Sequence, residues 1–188
     1  MIGRHQNADR RLDDELALRS LSASYAAAVD FQDGDRFASL FVEHGELVVP
    51  NYPEDFRPVI TRAGHDELRR IPEALRHYRR TFHQMSNHEF VIEADTASGS
   101  VRCVAHHVMA AEAGSPVTGT VASEGTVVSE GTVVSEGTVA SEGTVVVWYI
   151  RYGDDYRRVG DDWKFTRRTL HLEWVEERPV SKVAPGRS

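Results

Sequence analysis

The stretch TFHQMSNHEFVIEA, Thr81–Ala94, decides the fold, because along it the periodicity of the chain changes from helical to extended. It is rich in β-branched and aromatic residues and bounded by turn formers, which is the pattern of a strand. Three later segments read the same way: SVRCVAHHVMAAE (100–112), TVVVWYIRYGDDYRR (144–158) and DWKFTRRTLHLEWVEE (162–177), with turn-prone DTASG and VGDD between strands. Upstream of Thr81 the apolar spacing is mostly helical. Leu12, Leu16, Leu21, Tyr25 and Val29 predict a first helix that ends near Asp30, with Asp9 or Asp13 as its N-cap. Asp33 is a cap for a second, short helix carrying Phe37, Leu40 and Phe41, with Gly45 as its stop. ELVVP (46–50) predicts a strand, and NYPEDFRPVITRAG (51–64), with two prolines and many polar residues, predicts a loop. HDELRRIPEALRHYRR (65–80) predicts a third helix broken at Pro72. Helices first and antiparallel strands afterwards predict an α+β fold, with the helices packed on one face of a curved sheet.

The 188 residues, 40% of them hydrophobic, suffice for one domain with a core, predicted over 1–178 with a loose tail at 179–188. A net charge of −7 and a pI near 5.7 argue against the basic surface that nucleic acid requires, and point to a small molecule or a second copy of the chain as partner. The single cysteine, Cys103, permits no disulfide within the chain and asks for no oxidising compartment. The polar start MIGRHQNADRRLDD is no secretory signal and no window reads as a membrane span, so a cytoplasmic protein is expected. Arginine far outnumbers lysine, present only as Lys164 and Lys182, the bias of a GC-rich bacterial genome.

YAAAVDFQDGDRFASLF (25–41), TFHQMSNH (81–88) and DDYRRVGDDWKFTRRTL (154–170), in this order and spacing, resemble the SnoaL-like group of the nuclear-transport-factor-2-like superfamily, from about Leu12 to Trp174. That group includes scytalone dehydratase, bile acid dehydratase, hexachlorocyclohexane dehydrochlorinase and steroid isomerase-type enzymes. The resemblance implies a cone-shaped α+β barrel in which a strongly bent sheet and its helices enclose a deep pocket for an apolar small molecule. It also implies a homo-oligomer, a dimer or trimer, and catalysis without a cofactor.

Asp30 and His83 are the pair to weigh. A carboxylate at the end of the first helix can accept the N–H of an imidazole on the first long strand, leaving the other ring nitrogen to take a proton from substrate. Dehydratases and the dehydrochlorinase of the resembling group use an Asp and a His at the matching positions. Without that resemblance, the two residues read as a helix-end carboxylate and a satisfied core histidine. Tyr25 matches a tyrosine of the bile acid dehydratase that can polarise a carbonyl; it otherwise reads as a core aromatic. Five residues rotate a helix about 140° beyond a full turn, so Tyr25 and Asp30 share a pocket only if the helix unwinds between them.

Strand alternation groups Cys103, Ala105 and His107 on one face and Arg102, Val104 and His106 on the other. The register of the resembling group turns the first set inward and makes His107 a second acid; the opposite register would promote His106. The same alternation makes Trp148, Ile150 and Tyr152, then Arg168, Leu170 and Leu172, walls of the substrate site, which Phe41 joins. Arg168 matches a cationic position of the dehydrochlorinase and would stabilise negative charge on the substrate or its leaving group; its alternative is an ion pair with one of the surplus carboxylates. Nine histidines raise the question of a metal, yet no zinc-type spacing accompanies them and His106 and His107 face apart, so no metal is expected. No G-x-G-x-x-G or P-loop lysine is present, so no nucleotide cofactor is expected either.

The hexapeptide GTVxSE recurs from Gly119, Gly125, Gly131 and Gly137, and a last copy at Gly143 runs into the strand TVVVWYI. Residues 119–142 read as an insertion made by tandem duplication. A loop, a β-arm used in self-association and a longer hairpin are the choices, and the strand propensity of TVV broken by S-E-G favours the hairpin. Two functions remain open: a lyase or isomerase built on Asp30 and His83, and a non-catalytic binding module or accessory subunit of a ring-hydroxylating oxygenase.

Overall fold

The structure, a computed structural model, describes residues 2–110 and 143–183. Helix α1 spans Ile2–Asp30, well upstream of its expected start. Arg4, Gln6, Ala8, Arg10 and Arg11 are good helix formers, so Asp9 and Asp13 lie inside the helix rather than at its cap. The buried face also differs from the expected stripe. Leu18, Leu21, Tyr25, Ala28 and Val29 are buried, whereas Leu12 and Leu16 are 58% and 53% exposed. What turns the helix is Asp14, which is buried and accepts hydrogen bonds from Trp163 Nε1 (3.1 Å) and from Arg158. A buried carboxylate is costly unless it is paired, and the row 14, 18, 21, 25, 28 keeps both the pair and the apolar contacts.

Asp33 caps α2 (Gly34–Ser39) through a 2.9 Å bond from the Arg36 N–H, as expected. Its continuation is a correction: Phe41 and Gly45 belong to strand β1 (Phe41–Asn51), not to a helix and its stop. Gly45 sits where the β1 register slips between Phe41 and Glu46, and a Cβ there would lie 2.9 Å from the Phe41 side chain. Close approach at a bulge, rather than helix termination, is what requires glycine. The expected loop 51–64 is also corrected, since Asp55–Ala63 forms strand β2. Antiparallel to β1 and at the edge of the sheet, β2 tolerates Pro58 opposite Pro50. The broken helix is present as α3 (Gly64–Leu68) and α4 (Ile71–Ala74), with Pro72 in the first turn of α4.

Strands β3 (Arg80–Glu93), β4 (Thr96–Ala110), β5 (Gly143–Val159) and β6 (Asp162–Val180) complete a six-stranded sheet of order β2-β1-β6-β5-β4-β3. Among the described residues, only β1 and β6 pair in parallel. Register slips in β3 near Asn87 and in β6 at Thr166 and Glu173 are bulges, which bend strands and curve the sheet around α1. Among the described residues the sheet does not close, and β2 and β3 stand at its two ends. β6 reaches Val180, two residues into the expected tail 179–188, Ser181–Val183 lie outside any element, and 184–188 lie outside the described residues. The core packs Leu18, Phe37, Phe41, Leu68, Val101, Tyr152 and Phe165 between α1, α2, α3 and the concave face. Among the described residues, no helix is long and apolar enough to cross a membrane.

Most of the repeat, 119–142, lies outside the described residues; its last copy opens β5. Ala110 and Gly143, which bracket residues 111–142, are directly paired across β4 and β5. Deleting 119–142 would join paired strand ends through 111–118, and shortening the connection between them favours folding by about 1 kcal/mol. The deletion variant is expected to keep its circular dichroism and unfold at an equal or slightly higher temperature; loss of folding would contradict this.

Candidate active site

Asp30 is the last residue of α1, and β3 runs beside that helix end. Two bonds join them: the His83 backbone N–H donates to Asp30 Oδ2 (2.9 Å), and His83 Nδ1 lies 2.7 Å from Asp30 Oδ1. Burial opposes ionisation of Asp30, but the hydrogen bonds and charge of His83 outweigh it and hold the carboxyl below its usual range. An ionised carboxylate can only accept, so Nδ1 carries a proton, and in the neutral ring it is Nε2 that holds the lone pair. The side chains are 6% and 18% exposed, so the pair is shielded without being sealed.

The dyad borders a groove of about 530 Å³ between α1 and the free edge of β3. Ala23, Ala26 and Ala27 leave room on the helix side, Phe31, Phe82 and Met85 add apolar surface, and Arg80 and Thr81 add polar groups beside the dyad. The alanine run of YAAAVD thus makes room rather than merely favouring helix.

On its other side His83 meets a cluster of rings. His107, buried on β4, stands edge-on to it at 5.5 Å between centroids. Trp148 lies 5.2 Å from His107, Tyr78 4.8 Å from His107, and Tyr52 5.0 Å from Trp148. Cys103, Ala105 and His107 share the buried face, while Arg102 is exposed and Val104 and His106 are half-buried. Burial pushes Cys103 up to about 12, which leaves it a neutral thiol.

Burial, with the nearby His83, pushes His107 down from 6.5 to about 4. It is therefore neutral at pH 7 and has no extra proton to give, which changes the expectation of a second acid. The same shift governs stability. Below about 6.5 the unfolded chain takes up a proton that the folded ring refuses until about 4, so this contribution is complete above 6.5 and is lost as the pH falls between the two values. His107→Phe is expected to flatten the loss, about 3 kcal/mol at most, in urea unfolding compared at pH 7 and pH 4.5. An unchanged pH slope would contradict a neutral buried His107.

Tyr25 and Arg168 are placed elsewhere. Because α1 stays helical through Asp30, Tyr25 does not line the groove; it is buried against Phe37, Tyr152 and Phe165. Arg168 is fully buried and forms a two-pronged pair with Asp154, Nε to Oδ1 at 2.8 Å and Nη2 to Oδ2 at 2.7 Å. Its guanidinium lies 4.2–4.3 Å from the centroids of Tyr25, Tyr152 and Phe165. This is the ion pair weighed as its alternative. Phe41 is buried between Phe37 and Phe165, and Ile150, Tyr152, Leu170 and Leu172 belong to the same core. Tyr52 beside Trp148 and Tyr78 beside His107 were not foreseen: Tyr52 lay in an expected loop and Tyr78 in an expected helix, and only the tertiary fold brings them to this cluster. Among the described residues, no three His, Cys, Asp or Glu side chains gather to hold a metal ion.

The SnoaL-like domain model matches residues 10–169. No protein among the curated sequences matches this chain. Similar solved structures include a scytalone dehydratase-like protein from Novosphingobium aromaticivorans, 18% identical with a TM-score of 0.63, covering 96% of this chain and 99% of that one. The hexachlorocyclohexane dehydrochlorinase LinA-type3 from Novosphingobium barchaimii is 16% identical, with a TM-score of 0.63 and coverage of 93% and 97%. Rv3472, a protein of unknown function from Mycobacterium tuberculosis, is 19% identical, with a TM-score of 0.61 and coverage of 88% and 75%. At these identities the likeness is one of fold.

Proposed function

The chain belongs to the SnoaL-like family, and from that premise we propose that it is a cofactor-independent lyase or isomerase acting on a small hydrophobic cyclic substrate. His83 Nε2 takes a proton from substrate, and Asp30 holds the imidazole in the tautomer that leaves this nitrogen basic. The observation that carries the reading is the doubly bonded Asp30–His83 pair at the wall of an apolar groove. Asp30, held ionised, stabilises the imidazolium that forms when the proton arrives. Removal of a proton beside a leaving hydroxyl or halide gives elimination; its return at another carbon gives isomerisation. The dehydratase-like and dehydrochlorinase neighbours are consistent with this chemistry. Arg168, already paired, serves the framework in this account.

A binding module without chemistry is the second reading, favoured by the interior around Arg168, where rings fill the space a deep pocket would need. The two are separated by offering wild type and His83→Ala a panel of cyclic hydroxy-ketones, halogenated cyclohexanes and steroid-like ketones. Elimination or double-bond migration by wild type and its loss in His83→Ala is the expected result. Equal turnover by both proteins, or none by either, would overturn the proposal.

A further inference from the structure

Thr81 precedes His83 by two residues on β3, so strand alternation puts both side chains on one face, and both line the groove with Asp30. Thr81 is half-buried there and stands opposite His107 of β4 in the ladder. The His83 backbone N–H donates to Asp30 Oδ2, which brings the carboxylate against β3 at residues 81–83. The Thr81 side chain hydrogen-bonds to the same carboxylate. Because an ionised carboxylate can only accept, the hydroxyl is the donor. Three donors from one short stretch of strand therefore converge on the last side chain of α1: the His83 N–H, the His83 Nδ1–H and the Thr81 hydroxyl.

The three are not equivalent. The imidazole is the group that turns and takes up a proton, whereas the backbone N–H and the Thr81 hydroxyl stay neutral throughout. A carboxylate held by the backbone N–H alone can swing about that one bond. With the hydroxyl as a second fixed point its plane is set, and Oδ1 is in line with Nδ1 before the ring settles. The hydroxyl also gives a half-buried charge one more charge-assisted hydrogen bond, which helps to keep Asp30 ionised against its burial.

We propose that Thr81 is a positioning residue of the dyad, its hydroxyl fixing the Asp30 carboxylate so that His83 keeps its proton on Nδ1. The dyad reading is needed only for the catalytic consequence. The effect on the imidazole follows from the hydrogen bonds alone.

The test is the ring 15N resonances of His83, which report which nitrogen carries the proton, at a pH where the ring is neutral. Wild type is compared with Thr81→Val, which keeps the branched shape without the hydroxyl, and with Thr81→Ser, which keeps the hydroxyl. His83→Ala identifies the resonances. Wild type is expected to hold the proton on Nδ1. Thr81→Val is expected to raise the ratio of Nε2–H to Nδ1–H about tenfold, the scale of one charge-assisted hydrogen bond, and Thr81→Ser to return it to within about twofold of wild type. Thr81→Ala serves as a second hydroxyl-free variant and is expected to match Thr81→Val. On a substrate that wild type turns over, Thr81→Val is expected to lower kcat/KM about tenfold through kcat, with KM unchanged, and to add no further loss to Asp30→Asn. Loosened packing alone would lower the urea midpoint without moving the tautomer. An unchanged ratio in the hydroxyl-free variants, a changed ratio that serine does not restore, or a wild-type ring protonated on Nε2 would each overturn the proposal. A ratio that shifts as expected while His83→Ala leaves turnover intact supports the role of Thr81 and removes the dyad reading. An unshifted ratio with turnover lost in His83→Ala does the reverse, so the two proposals fail separately.

Discussion

Asp154→Ala is expected to cost about 3–5 kcal/mol of folding stability, the largest single-residue effect outside the dyad. Asp154 and Arg168 are both fully buried, and the carboxylate accepts Arg168 Nε, Arg168 Nη2 and the Tyr156 hydroxyl (2.7 Å). Removing it strands a permanent cation in the interior. Three ring faces at 4.2–4.3 Å offset part of that cost but supply no acceptor, and Arg168 Nη1 already has none. Arg168 is not released as a neutral base either, because guanidinium stays protonated and the pairing with Asp154 raises its pKa further. Removing both charges leaves no unpaired charge in the interior, although the Tyr156 hydroxyl loses its acceptor, so Arg168→Met with Asp154→Leu is expected to be markedly more stable than Asp154→Ala. Urea midpoints of the three proteins at pH 7 measure this. A single variant within about 1 kcal/mol of wild type would show that the pair contributes as little as a surface bridge.

The second large effect is on turnover. His83→Ala removes the base and is expected to lower kcat/KM by about 10³-fold or more, while Asp30→Asn, which keeps the shape but not the charge, is expected to lower it about 10²–10⁴-fold. In Asp30→Asn the amide can present its N–H₂ to the ring and so favour the opposite tautomer, with Nε2 protonated and no longer a base. Both losses should fall on kcat more than on KM, because neither residue supplies most of the apolar contact in the groove. Unfolding midpoints of the two variants separate a catalytic loss from a folding one.

How far the sequence could be read depended on whether the signal was local. The change of period at Thr81, the Asp33 cap and the break at Pro72 are local chemistry, and each stands in the structure where it was expected. β2 was missed because prolines and polar residues argue against a central strand but not against an edge strand. On α1 the expected Leu21, Tyr25 and Val29 are buried but Leu12 and Leu16 are not, because apolar spacing carries no sign of Asp14, whose partners Trp163 and Arg158 lie more than a hundred residues away. In the site, Asp30 and His83 were legible as types and positions, and their hydrogen bonds are found in the structure. Tyr25 followed helical arithmetic, since an unbroken α1 separates it from the groove that Asp30 borders. Arg168 could not be placed from sequence, because the choice between a substrate and Asp154 depends on the pairing of β5 with β6. Tyr52 and Tyr78 left no sequence signal beyond being aromatic.

The central claim is that Asp30 acts only through His83, and kcat/KM of the Asp30→Asn/His83→Ala double variant beside each single variant tests it most directly. The account predicts that the double variant is no slower than His83→Ala alone, because Asp30 has nothing left to orient. A double variant slowed by the product of the two single losses would contradict it, since Asp30 would then act on the substrate independently of His83.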